Sequence, residues 1–449
     1  MRNGHRFILP GILAGAILMC HALPAQQEPV PAESTPERWN LFWQATSVGQ
    51  YHGTFRSPYS GPFSLQSVTE RDVSLTTTLF LGLRLEKNTT LIFNPEIAGG
   101  RGFSGVDGLA NSSNGELPRV ASATPKPYVA RLYVSHDFGF GSATENVESD
   151  ANQLAGSRPV NRYTVTVGRF TLTDFFDNNL YSHDPRSQFL GWGVMFNGAW
   201  DYPADVRGYT WGMVHELHTR NWSFRYGSAA MPREANGLRF DRRLLRNRGE
   251  VFEQERRYAP GGHEGAIRVL EYMNRANAGD YGKAIALAGS GRPVVTDTRS
   301  NGTLKYGFGL NVEQEITKSI GVFGRLGWND GKTESFAFTA IDRLATIGVS
   351  VNGQLWHRRF DTAATEVTSS GISAVHARYL ARGGYDFLIG DGALRYGREV
   401  ISESYYSARL FPGFFAAFDL QHVANPAYNR DRGPVWIPSL RLHMELAKH

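Results

Sequence analysis

The chain has 449 residues, 41% of them hydrophobic and 20% charged, with a net charge of +5. Charges of both signs are interspersed, which speaks against a nucleic-acid partner. After the N-terminus no stretch approaches the roughly 18 consecutive apolar residues of a membrane-spanning helix. Aromatics make up 12% and glycines number 49. That composition suits a membrane barrel, in which half of each strand is polar.

Residues 1–25 read as a secretory signal peptide: Arg2 and Arg6 precede a short apolar run from Phe7 to Met19, and small residues follow at Ala22 and Ala25. The single cysteine, Cys20, lies inside it, so the rest of the chain forms no disulfide and no thiolate metal site. Leu18 and Met19 before Cys20 do not fit a lipoprotein cleavage site. Residues 26–37 (QQEPVPAESTPE) are rich in Pro and Glu and read as a flexible segment, too short for a plug. Residues 38–449 are expected to form one barrel.

Trp39 to Tyr51 starts it, with Trp39, Leu41 and Trp43 on one face. Val73, Leu75, Leu79, Leu81 and Leu83 then alternate with Ser74, Thr76, Thr78 and Arg84, a period of two. Glu86 to Asn88 turns the chain, Leu91 and Phe93 continue, and a Gly-, Ser- and Asn-rich loop runs from Gly99 to Pro118. Tyr128 to Phe138 is a strand with Arg131, Tyr133 and Ser135 on one face. Tyr163, Val165 and Val167 mark another, and a crowded polar loop follows with Asp174, Asp177, Asn178, Asn179 and Asp184. Strands are expected at 207–217 and 221–228, at 250–258 and 266–273, and at 304–312 and 320–328. Others follow at 345–351, 399–409, 413–423 and 436–446. Asp280 to Ala288 has helical spacing, and residues 357–392 read as irregular. The strand total falls between about 14 and 18, and bacterial barrels take even numbers. Open sheet edges cannot face hydrocarbon, so the expected fold is a closed, all-β antiparallel transmembrane barrel of about 16 strands with long extracellular loops.

Several short motifs carry no chemistry. GWNDGKT at 327–333 is one residue short of a phosphate loop and has no helix after it. HELH at 215–218 misses the zinc-protease spacing, and on a strand His215 and His218 point to opposite faces. The acidic loop at 174–184 offers oxygen ligands for Ca²⁺, but self-hydrogen-bonded loop chemistry explains it better. The basic run at 239–248 reads as a solvated loop or strand rim. No G-x-S-x-G is present.

The chain resembles the carbohydrate-selective porin (OprB) family of Gram-negative outer membranes. The resemblance rests on SPYSGPFSL at 57–65, LFLGLRL at 79–85, NPEIAGG at 94–100 and LRYGREVISESYY at 394–406. It is longest in VGRFTLTDFFDNNLYSHDPRSQFLGW at 167–192 and QHVANPAYNRDRGPVWIPSLRLHMEL at 421–446. It implies a 16-stranded barrel that passes sugars by facilitated diffusion, with no enzymatic activity and no cofactor or bound metal. Such proteins usually end on an aromatic residue, commonly Phe, whereas here the alternation stops at Leu446 and Ala447, Lys448 and His449 follow, which points to a weaker insertion signal or an extended tail.

With the apolar faces turned to lipid, the lumen receives Arg84, Asn94, Glu96, Arg131, Tyr133, Asn311, Glu313, Phe323, Arg325, Asp419, Gln421 and Arg441. Arg169 falls on the lipid face by strict alternation, so it belongs at the interface or past a bulge. The resemblance places it near the constriction. Polar groups bond sugar hydroxyls and aromatic faces stack on sugar rings, while mixed charge disfavours ion selection. The expected function is passage of mono- and small oligosaccharides; a non-selective pore and a barrel that binds surface polysaccharide are the alternatives. Expected partners are sugars, outer-membrane lipid and lipopolysaccharide, and the barrel-assembly machinery; monomer and homotrimer both stay open.

Overall fold

A computed structural model describes residues 36–118 and 124–448; the signal peptide and most of the 26–37 segment lie outside these. The strands are β1 (Trp39–His52), β2 (Glu70–Glu86), β3 (Thr89–Gly100), β4 (Lys126–Gly139), β5 (Thr144–Val147), β6 (Gly156–Pro159), β7 (Arg162–Phe170), β8 (Thr210–His218) and β9 (Trp222–Ala230). They continue as β10 (Arg248–Tyr258), β11 (Gly265–Ala278), β12 (Ser300–Thr317), β13 (Ile320–Asn329), β14 (Arg343–Asn352), β15 (Thr362–Gly371), β16 (Glu399–Phe411), β17 (Phe414–Ala424) and β18 (Val435–Lys448). All but β5 and β6 form one closed antiparallel barrel of 16 strands. β1 closes it: Trp43 lies opposite Leu79 of β2 and Leu446 of β18.

The alternation sorts the residues. On β2, Leu75, Leu79 and Leu83 are exposed to the outside, while Ser74, Thr76, Thr78 and Phe80 are buried inside. The outer face is therefore the lipid face. β5 and β6 pair with each other alone, as a hairpin between β4 and β7.

Two expectations need correction. Residues 357–392 are not irregular, for they hold β15 and a helix, Ala374–Ala381. The outward residues of β15 are Ala363, Thr365, Val367 and Ser369, so only one large apolar side chain marked its face. Strand β18 also does not stop at Leu446. It runs through Lys448, which lies opposite Leu41 of β1, because backbone pairing needs no apolar side chain. The helix expected after Asp280 is present as Tyr281–Leu287, and the Asp280 carboxylate caps it by accepting from the Lys283 amide.

Short turns lie at one end, such as Lys87–Asn88 and Pro412–Gly413, and long connections at the other. The connections 101–118 and 171–209 fold into the barrel. Their side chains Trp192, Met195, Phe196, Trp200 and Tyr202 form, with Phe338, an apolar core inside the lumen. Inward glycines let these loops press on the wall. Gly309 and Gly327 are paired, and a Cβ at either would overlap Asn197.

Candidate functional site: the constriction inside the barrel

Inward wall residues do two different jobs. One group holds the loops. Arg325 is fully buried; it donates to the Asp177 carboxylate at 3.1 Å and to the carbonyls of Ser182 and Val194, each at 2.7 Å. Asn311 donates to the Asp177 carboxylate at 2.7 Å, and Glu253 accepts from the Asp177 amide at 2.7 Å. Arg441 donates to the carbonyls of Pro185 and Gln188. Gln421 donates to the Ser113 carbonyl at 2.9 Å. Glu403 accepts from the amides of Leu190 and Gly191, and Glu399 from those of Ala110 and Asn111. Glu313 accepts from the Leu180 amide at 2.7 Å and pairs with Arg268 at 3.0 Å. Asp419 is fully buried, and Phe323 packs on Phe189. These side chains face inward yet sit beneath the loops. Each orphaned backbone group they satisfy would otherwise cost about 1–3 kcal/mol on burial.

The second group surrounds open space: Glu116, Arg131, Arg186, Arg207 and Tyr209 line a cavity of about 920 Å³, and Glu96 and Tyr128 contact them. Arg186 lies between two carboxylates, 3.0 Å from Glu96 and 2.8 Å from Glu116. Glu96 also accepts from Thr78 at 2.5 Å and from the Tyr128 hydroxyl. Thr76 donates to Glu116. Burial pushes the Glu116 carboxyl up, and Arg186 only partly offsets it. Arg131 makes a bidentate pair with Asp174, at 2.7 and 2.5 Å. The Arg131 guanidinium lies 5.5 Å from the centre of the Tyr209 ring, and Arg207 lies 4.3 Å from that of Tyr128.

A bulge at Ala130 makes this possible. Asn94 lies opposite Arg131 and Pro95 opposite Val129, so Ala130 is skipped. Arg131 and Tyr128 therefore both point inward, while Val129 is exposed to the outside. Arg169 keeps its outward register opposite Leu132 and Trp211. It is the penultimate residue of β7, donates to the Val129 carbonyl at 2.8 Å, and pairs with Asp205 at 2.7 Å, 5.8 Å from the Tyr209 ring centre. It thus lies at the strand end behind Tyr209.

Tyr133 packs on Phe170 and Phe175 within the lumen core. Asn94 donates to Asn152 at 2.7 Å. Arg84 stands near the short-turn end and donates to the carbonyls of Glu37, Lys87 and Ala155. Sequence reasoning missed Glu116, Arg186, Arg207, Tyr128 and Tyr209. Most are loop residues, and period-two alternation says nothing of where loops lie; Tyr128 needed the bulge to be seen.

The acidic loop is engaged internally: Asp174 by Arg131, Asp177 by Arg325 and Asn311, and Asp184 by the Arg186 amide at 3.0 Å. Among the described residues no group of three or more His, Cys, Asp or Glu side chains could hold a metal ion.

A family model described as carbohydrate-selective porin, OprB family, matches residues 73–446. Among solved structures, OprB of Pseudomonas putida at high pH superposes with a TM-score of 0.66 at 14% identity, over 91% of this chain and 94% of that one. An anion-selective porin from Comamonas acidovorans gives 0.48 at 10% identity, over 92% and 100%. OccK2 (OpdF) of Pseudomonas aeruginosa gives 0.45 at 9% identity, over 91% and 97%. No curated protein matches.

Proposed function

The chain belongs to the carbohydrate-selective porin, OprB family, and from that premise we propose that the constriction of Arg131, Arg186, Glu96, Glu116 and Tyr209 is what sugars meet in passing. The protein is an outer-membrane porin for facilitated diffusion of mono- and small oligosaccharides. The single observation that carries the site reading is Arg186 held between Glu96 and Glu116 at the wall of the 920 Å³ cavity. Every cation there but Arg207 has an anion beside it: Arg131 with Asp174, Arg186 with the two glutamates, Arg169 with Asp205. Pairing leaves donors and acceptors for hydroxyls but little net field for ions. Phe196, Tyr202 and Tyr209 supply faces for sugar rings. Contacts of this kind are weak one by one, as release requires.

By the rule for bacterial barrels the short-turn end faces the periplasm, and insertion from that side falls to the barrel-assembly machinery. Liposome swelling with sugars against size-matched amino acids tests the function. Faster uptake of sugars is expected; equal rates would leave a general pore. A lumen with negligible conductance would instead favour polysaccharide binding.

A further inference from the structure

Among the described residues the 140–161 connection is the longest at the short-turn end, and it does not hang outside. It turns up into the lumen. Asn40 on β1 donates to the Gln153 carbonyl at 2.7 Å and to the Ser149 hydroxyl at 3.0 Å. Arg84 on β2 donates to the Ala155 carbonyl at 2.9 Å, and the Ala155 amide donates to Glu37 at 2.8 Å. Arg158 on β6 makes a bidentate pair with Asp137 on β4, at 2.7 and 3.0 Å. Leu154 is buried against the inner wall at Gly82. At the tip, Asn152 adopts a left-handed φ of 64°, which Asn tolerates, and accepts from Asn94 at 2.7 Å. Asn94 is the β3 residue opposite Arg131. The tip therefore reaches the level of the constriction from below.

Asn152 lines two cavities. One is the 920 Å³ space, with Arg131 and Arg186. The other, about 480 Å³, is walled by β2–β4 and β7–β9, with Arg84, Tyr133, Thr166, Glu216 and Arg225. We propose that segment 148–155 is a septum that divides the lower lumen and sets the width of the exit. Solute leaving the constriction is confined to the β1–β18 side, and chains too long to bend past Asn152 are held back. The anchors come from β1, β2, β3 and β4 at once, so the segment is fixed rather than loosely hung.

The inference rests on reading the barrel as a sugar channel, but its test does not need sugar selectivity. Phe140 and Asn161 are paired across the base of the segment, the Phe140 amide donating to the Asn161 carbonyl at 3.0 Å, so removing residues 142–159 leaves a two-residue connection. Single-channel conductance in potassium chloride should rise about two-fold or more, since conduction follows pore width. Liposome swelling should extend to longer maltooligosaccharides than the parent admits, while block by glucose keeps its concentration dependence. Asn152→Trp in the full chain should act oppositely, lowering conductance and shortening the longest sugar admitted. An assembled deletion variant with parental conductance and size limit would overturn the proposal. So would an Asn152→Trp variant that conducts like the parent, and this second variant decides if the deletion fails to assemble. If the sugar-selective reading alone is wrong, the conductance changes remain and only glucose block is absent.

Discussion

Two inward arginines, Arg131 on β4 and Arg325 on β13, have opposite uses. Arg131 faces the cavity and holds Asp174, whereas Arg325 is sealed beneath the 171–209 loop and holds its backbone. Arg131→Ala should leave conductance near the parental value and weaken sugar block a few-fold. One lost hydrogen bond is worth about 0.5–1.5 kcal/mol, or up to roughly ten-fold in affinity. Arg325→Ala should instead raise conductance and flatten selectivity together, because removing one partner of a buried pair costs about 3–5 kcal/mol and frees the loop. Planar-bilayer recordings with added glucose separate the two; matching phenotypes would show that both act through the loop. The sequence gives no hint of this division. Both residues obey the same period of two, and only the path of a distant loop decides which is covered.

At the scale of the element, the strands were the most legible part. Leu79 and Leu442 are outward and 40% exposed, so Leu79→Arg or Leu442→Arg should impair assembly. The cost is about 2–4 kcal/mol near the bilayer midplane. Heat-modifiable electrophoretic mobility reads it, and unaffected assembly would contradict the lipid-face assignment. β15 escaped because its outward side chains, Val367 apart, are small or polar, and the inward loops escaped because their packing is set by the wall. Gly327 is part of that wall, so Gly327→Val should push Asn197 away and widen the channel, which conductance would show.

The long-loop end has its own lock. His376, on the Ala374–Ala381 helix, is fully buried with Nδ1 3.1 Å from Asp342 and Nε2 3.3 Å from Asp386, and Tyr281 stacks on it at 4.2 Å. Burial alone would lower its pKa, but the two aspartates outweigh it and push it up to about 9. A folded pKa raised above the ordinary value of about 6.5 means stabilisation that is full below about pH 6.5 and lost as pH rises through about 9. Proteolysis of the 372–398 connection should therefore quicken between neutral pH and about pH 10 in the parent and lose that dependence in His376→Gln. A parent whose cleavage rate is flat over this range would remove the lock.

The whole molecule inverts the usual plan of a globular protein, with apolar residues outside against lipid and a second apolar core trapped within the lumen. The outer half of that plan was readable from alternation alone, because most of the barrel strands repeat it. The inner half was not, because it depends on contacts between residues far apart in the chain, such as Trp192 stacked on Phe338. At this scale the end of β18 matters. Its last described residues pair with β1, Leu41 opposite Lys448 and Phe42 opposite Ala447. Removing residues 447–449 should lower the temperature at which the barrel loses its compact electrophoretic form. A variant that melts with the parent would show the seam is closed well before Leu446.

That seam also sets an order of events during biosynthesis. The strand nearest the N-terminal end of the barrel can complete its pairing only with the strand made last. Until β18 has been made, one flank of β1 has no partner, and its backbone amides and carbonyls stay open to any passing strand. Closure entropy grows only logarithmically with the length of intervening chain, so the delay is kinetic more than thermodynamic. An export route that kept the chain unpaired until its final strand emerged would suit this topology, and nascent chains stalled before β18 should be the ones that aggregate.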